Sequence, residues 1–124
     1  MGTMYDRTSW LIGEEAMEKL KVSRVIVFGL GGVGGICTEA LARAGVGSID
    51  LVDFDRVDIT NLNRQVIAFH STLGRTKVTV MEECIRDTHS IGCIPQDEQG
   101  YEEKGYELCG RDNYIFFSSI YWDC

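Results

Sequence analysis

Two short runs rich in apolar residues, Arg24 to Phe28 and Ser48 to Asp53, flank a segment whose apolar residues recur at spacings of three and four. The first run is continuously apolar after its arginine, which predicts a parallel strand covered on both faces. The segment between, about Val33 to Ala44, predicts a helix that turns Ile36, Ala40 and Leu41 toward the sheet and stops at Gly45, a C-cap. Together they predict a right-handed strand-helix-strand unit. Upstream, GEEAMEKLK from Gly13 predicts a short helix, with Glu14 and Glu15 in its first turn, Lys19 and Lys21 in its last, and Ala16, Met17 and Leu20 as the apolar stripe. Met1 to Thr8 reads as a loose start. Downstream, His70 to Gly74 is a loop and Arg75 to Asp87 predicts a helix that buries Val78, Met81 and Ile85, with Lys77 beside that face.

The polar residues between these elements are less ordinary. Gly29, Gly31, Gly32 and Gly34 follow the first strand at once. Gly29 suits a tight turn, Gly31 a close approach of backbone amides to a phosphate, and Gly34 tight packing of the helix on the sheet. An anion there would meet free amides and the positive end of the helix dipole. Asp53 ends the second strand, roughly 20 residues on, where a dinucleotide fold carries its ribose-binding acid. Then comes DFDRVDITNLNRQ, which a nicotinamide domain does not need. Thr60 is a candidate cap for a short helix whose face would carry Asn61 and Arg64 together, an amide beside a guanidinium suited to phosphate oxygens.

Composition narrows the class. At 124 residues, 44% hydrophobic and 25% charged, the chain has room for one domain with a modest core. No apolar run approaches the ~20 residues that span a bilayer, and no basic-then-apolar leader opens the chain, so the expectation is a cytoplasmic protein without membrane attachment. A net charge of −7 argues against a surface that wraps nucleic acid. Five cysteines without a CxxC pair point to reduced thiols, and neither a zinc site nor a disulfide framework is expected.

In this order, YDR, WLIGEEAMEKL, VIVFGLGGVGG, EALARAGVG, LVDFDRVDITNLNRQ and HSTLGRTKVTVMEECI resemble the ubiquitin-activating-enzyme-like, or ThiF-type, adenylyltransferase superfamily. Within it, the bacterial branch of tRNA threonylcarbamoyladenosine dehydratases is the most similar. The resemblance implies an α/β fold, a Rossmann-like parallel sheet flanked by helices, in which residues 1–87 bind ATP. It implies that Gly29, Gly31, Gly32 and Gly34 hold the nucleotide, that Asp53 meets the ribose hydroxyls, with Asp55 beside it, and that Asn61, Arg64, Gln65 and Lys77 surround the phosphates. Arg64, Lys77 and Arg7 are the catalytic candidates, Arg7 matching an arginine that reaches the neighbouring subunit's site in family homodimers. The implied chemistry is adenylation of a carboxylate. In one branch that carboxylate belongs to threonylcarbamoyladenosine in tRNA, which then cyclises; in another it is the C-terminus of a ubiquitin-like sulfur-carrier protein.

After Asp87 the resemblance stops. Residues 88–124 carry 2 basic and 7 acidic side chains, against 10 and 12 in residues 1–87. The family's magnesium-binding aspartate segment is not found, and Asp123 is a poor substitute. The tail is therefore expected to be a truncated, frame-disrupted or diverged continuation, with Tyr114 to Trp122 able to form a strand. Three readings stand: a ThiF-type adenylating enzyme or a remnant of one; a nicotinamide-dependent oxidoreductase domain, resting on the glycines and Asp53 alone; and a non-catalytic nucleotide-binding or dimerisation fragment.

Overall fold

A computed structural model describes residues 2–89 and 116–121. The chain order is α1 (Asp6–Ile12), α2 (Glu14–Val22), β1 (Arg24–Phe28), α3 (Gly32–Ala44), β2 (Ser48–Asp53), 3-10 turns at Ile59–Asn61 and His70–Thr72, α4 (Lys77–His89) and β3 (Phe116–Tyr121). β1 and β2 pair in parallel, Val25 opposite Ile49 and Val27 opposite Leu51, as the strand-helix-strand pattern requires. β3 falls within the run Tyr114 to Trp122 and pairs antiparallel with β2, so the sheet is mixed, in the order β1-β2-β3.

The core lies on one side of this sheet. Val25, Val27, Ile49 and Leu51 alternate onto one face, and Leu41 and Ala42 of α3 pack there with Val78, Met81 and Ile85 of α4. Leu30, Ile49, Leu51, Met81 and Ile85 are almost wholly removed from solvent. Each such side chain contributes about 1.5–3 kcal/mol of transfer free energy. Val78, Met81 and Ile85, the residues expected to be buried on α4, are buried, and Val80 and Lys77 are buried with them.

Three expectations need correcting. β1 is not covered on both faces, because Arg24, Ile26 and Phe28 are exposed. α3 buries Gly35, Thr38 and Ala42, whereas Ile36 and Ala40 face solvent. Thr38 can sit inside because its hydroxyl donates to Gly34 C=O at 2.8 Å, satisfying its polar group within the helix. The start of the chain is not loose either: Thr3 Oγ1 donates to Asp6 Oδ1 at 2.5 Å at the first turn of α1, and that bond holds the Asp6 carboxyl below its ordinary range. α1 buries none of its own residues and ends at Gly13, at φ 84°. Gly45 caps α3 as expected, with φ 95° and its N–H on Ala42 C=O.

Among the described residues no helix is long and apolar enough to cross a membrane. Cys37 and Cys84 are free thiols; the other three cysteines lie outside the described residues.

Candidate functional site

The carboxyl ends of β1 and β2 bring most of the expected residues together. β1 leaves its ladder at Gly29, whose φ of 91° suits glycine and whose N–H still reaches Val52 C=O at 2.8 Å. The chain then dives: Leu30 is fully buried, and its N–H donates to Asp53 Oδ2 at 2.6 Å. α3 starts two residues later with no side chain capping its first turn, which leaves backbone N–H groups directed at the turn. A Cβ on Gly34 would lie 1.8 Å from Gly29 C=O, so this close return of the helix onto the turn admits only glycine.

Arg64 and Gln65 border the turn. A Cβ built on Gly32 would meet Arg64 Cγ at 3.7 Å, and one on Gly31 would meet Gln65 Nε2 at 4.0 Å. The Arg64 guanidinium donates to Thr60 C=O and Asn63 Oδ1, each at 3.0 Å, and has no carboxylate partner among the described residues. Gln65 is 6% exposed, yet its buried Oε1 has no hydrogen-bond partner, while its Nε2 is the end beside Gly31.

On the other side stands a relay of carboxylates. Asp53 is buried at 7% exposure and accepts from Leu30 N–H through one oxygen and from Asp55 N–H through the other, at 2.7 Å. It therefore clamps the glycine turn to β2, keeping one further lone pair on each oxygen for a hydroxyl donor. Asp55 in turn holds Lys77: its C=O accepts the Lys77 N–H at 3.1 Å and its Oδ2 lies 3.2 Å from Nζ. Lys77 is 4% exposed. A buried ammonium needs such a partner, and this one comes from 22 residues upstream, outside the reach of helical spacing.

Asn61 plays a different part from the one its spacing suggested. It is buried, and its Oδ1 accepts from Asp58 N–H at 2.9 Å. The cap of this 3-10 turn is Asp58 rather than Thr60: Asp58 Oδ1 accepts from the Thr60 N–H and hydroxyl, which pull its carboxyl below the usual range, the backbone bond contributing most. The aspartate three positions before Asn61 was the available signal for this box. The turn it closes fixes where Arg64 leaves the backbone. Arg7 is exposed on α1, which packs against α2, and no described contact joins it to the glycine turn.

These residues suit a nucleoside phosphate: the first amides of α3 are uncapped, the stem of Arg64 and the amide of Gln65 border the turn, and Lys77 is tied to it through Asp55 and Asp53. No cluster of three potential metal ligands occurs among the described residues.

Comparison with known proteins places this geometry. The model of the ThiF family matches residues 5–91. The chain is 48% identical over 103 residues, 83% of its length, to the tRNA threonylcarbamoyladenosine dehydratase of Bacillus subtilis, and covers 41% of that protein. It is 50% identical over 64 residues to the molybdopterin-synthase adenylyltransferase of Salmonella typhimurium, covering 52% of this chain and 26% of that one. The solved structure of Escherichia coli tRNA N6-threonylcarbamoyladenosine dehydratase in complex with ATP superposes with a TM-score of 0.68 and 41% identity, over 70% of this chain and 36% of that one. The chain thus spans about two fifths of the length of the Bacillus subtilis dehydratase and of its Haemophilus influenzae counterpart.

Proposed function

This chain belongs to the ThiF family, and on that premise we propose that its glycine turn binds ATP and that it serves adenylation of a carboxylate, that of threonylcarbamoyladenosine in tRNA. The observation that carries the reading is the position of Arg64, whose stem lies against Gly32 at the uncapped start of α3. A triphosphate, which carries more charge than a dinucleotide's pyrophosphate, has the greater use for a guanidinium there. The ATP complex of the similar E. coli enzyme supports the same choice.

In this reading the substrate carboxylate attacks the α-phosphorus of ATP, pyrophosphate leaves, and the resulting acyl-adenylate exposes its carbonyl carbon to the substrate's own nucleophile, whose attack displaces AMP. The chain's task is alignment and charge neutralisation. The α3 amides and Arg64 take up charge on the phosphates, Lys77 adds a second cation, Gln65 offers Nε2 to the nucleotide, and Asp53 offers its remaining lone pairs to the ribose. Arg7 would act across a homodimer, reaching the partner's site, in a cytoplasmic enzyme whose further partner is tRNA.

A second reading, adenylation of a ubiquitin-like sulfur-carrier protein, is favoured by the 50% identity to the Salmonella adenylyltransferase. Exchange of labelled pyrophosphate into ATP tests both. Exchange that depends on tRNA carrying threonylcarbamoyladenosine supports the first, and exchange that depends on a carrier-protein C-terminus supports the second. ATP binding without any exchange leaves a nucleotide-binding fragment, and tight NADH binding that ATP does not displace overturns the assignment.

A further inference from the structure

Asp55 and Lys77 form an ion pair of unequal partners. The Lys77 side chain is 5% exposed and the Asp55 side chain 52%, with Oδ2 3.2 Å from Nζ. Water alone satisfies a half-exposed carboxylate, and ion pairs at the surface add little stability. A buried ammonium has no such recourse, so in this pair the aspartate serves the lysine. Among the described residues the Asp55 carboxylate has no other partner, and Nζ has no other acceptor.

The backbone around the pair is held independently of it. Lys77 N–H donates to Asp55 C=O at 3.1 Å, Val57 N–H to Arg75 C=O at 2.8 Å and Gly74 N–H to Val57 C=O at 2.9 Å, and Arg56 forms an antiparallel bridge with Thr76. Asp55 N–H in turn reaches Asp53 Oδ1 at 2.7 Å, and Asp53 Oδ2 takes the Leu30 N–H of the glycine turn. These bonds fix the first residue of α4 relative to the turn, but they leave its four-carbon stem free to rotate. The Asp55 carboxylate fixes the far end.

Resting on the ATP reading above, we propose that Asp55 is a positioning residue: it holds the Lys77 ammonium in place before the nucleotide arrives and does not itself touch the nucleotide. An ammonium has three donors. One goes to Asp55 and two remain for phosphate oxygens, so anchor and ligand can be held together. A long side chain fixed beforehand does not have to be ordered on binding, which contributes about threefold to tenfold in affinity.

Calorimetry of ATP binding to the 124-residue chain tests this. Asp55→Ala is expected to weaken binding about threefold to tenfold. Asp55→Asn, whose amide oxygen still accepts from Nζ, is expected to bind at least as tightly as wild type. With Lys77→Met in the background, Asp55→Ala is expected to have no further effect. A carboxylate in direct contact with the nucleotide would instead lose the same factor in both backgrounds, and that result overturns the proposal, as does an Asp55→Ala chain that binds like wild type. If that variant loses its circular dichroism, Asp55→Glu takes its place, keeping the charge but displacing the oxygen by one methylene. It is expected to bind about threefold or more weakly than Asp55→Asn, and equal or tighter binding overturns the proposal.

Acylation of the nucleotide-free chain, followed by mass spectrometry, reads the anchor without ATP. Lys77 must first be uncovered by local opening, so it is expected to react at least about tenfold more slowly than the exposed Lys19. Most of that protection is expected to be lost in Asp55→Ala or Asp55→Glu, and unchanged reactivity overturns the proposal. A wild-type chain that binds no ATP, yet whose Lys77 protection depends on Asp55, overturns the ATP reading and supports the anchor, so the two failures are separate results.

Discussion

The face of the β1–β2 pair that carries Val25, Val27, Ile49 and Leu51 is sealed by α3 and α4, and at its strand ends the buried carboxylate of Asp53 is satisfied through both oxygens. On the opposite face β1 stands in solvent at Ile26 and Phe28, whereas Ser48 and Asp50 of β2, their neighbours on that face, are buried. An unbroken apolar strand therefore states what a strand is suited to, and whether both sides are covered depends on chain that the strand itself does not contain.

The contrast can be broken most severely at Gly34→Ala. Its Cβ would collide with Gly29 C=O at 1.8 Å, so a loss of at least about 4 kcal/mol, seen as failure to fold in chemical denaturation, is expected. Next, Asp53→Ala orphans the N–H groups of Leu30 and Asp55, and should cost about 2–4 kcal/mol with nucleotide affinity falling alongside. Arg64→Ala leaves stability near wild type but weakens ATP binding about tenfold to a hundredfold by calorimetry. Glu83→Ala, which removes an exposed partner of Arg75, leaves that binding unchanged, and equal effects of the two variants would sink the placement of Arg64. Asp58→Ala is milder and tied to pH. Because its folded pKa is depressed, its contribution is fully present above the ordinary aspartate range near pH 4 and is lost as pH falls through the lower folded value. The difference between wild type and variant should therefore shrink in acid. On the open face, Phe28→Ser should change the stability of the chain alone by no more than about 0.5 kcal/mol, since little burial is lost.

Features within reach of local rules were legible in the sequence. The glycine spacing, the acid ending β2, the C-cap at Gly45 and the buried stripe of α4 each follow from a few neighbouring residues. What escaped was settled by distant or compensating contacts. Spacing placed Lys77 only beside the buried face of α4, because Asp55, the partner that accompanies its burial, is remote in sequence. The buried face of α3 was misjudged because Gly35 and Ala42 allow close approach and Thr38 satisfies its own hydroxyl. α1 was missed because Trp10, Leu11 and Ile12 are consecutive, forming no stripe, and nothing in it is buried.

The pairing of Lys77 with Asp55 has a bearing on selectivity. Any anion that approaches this lysine finds its charge already balanced by a fixed carboxylate, so a weak monovalent ion such as chloride gains little by competing. A polyphosphate, presenting several charges to Arg64 and the helix amides at once, can outbid the aspartate where a single charge fails. In the proposed ATP site such an ion pair would set a threshold, admitting ligands by valence before shape is consulted.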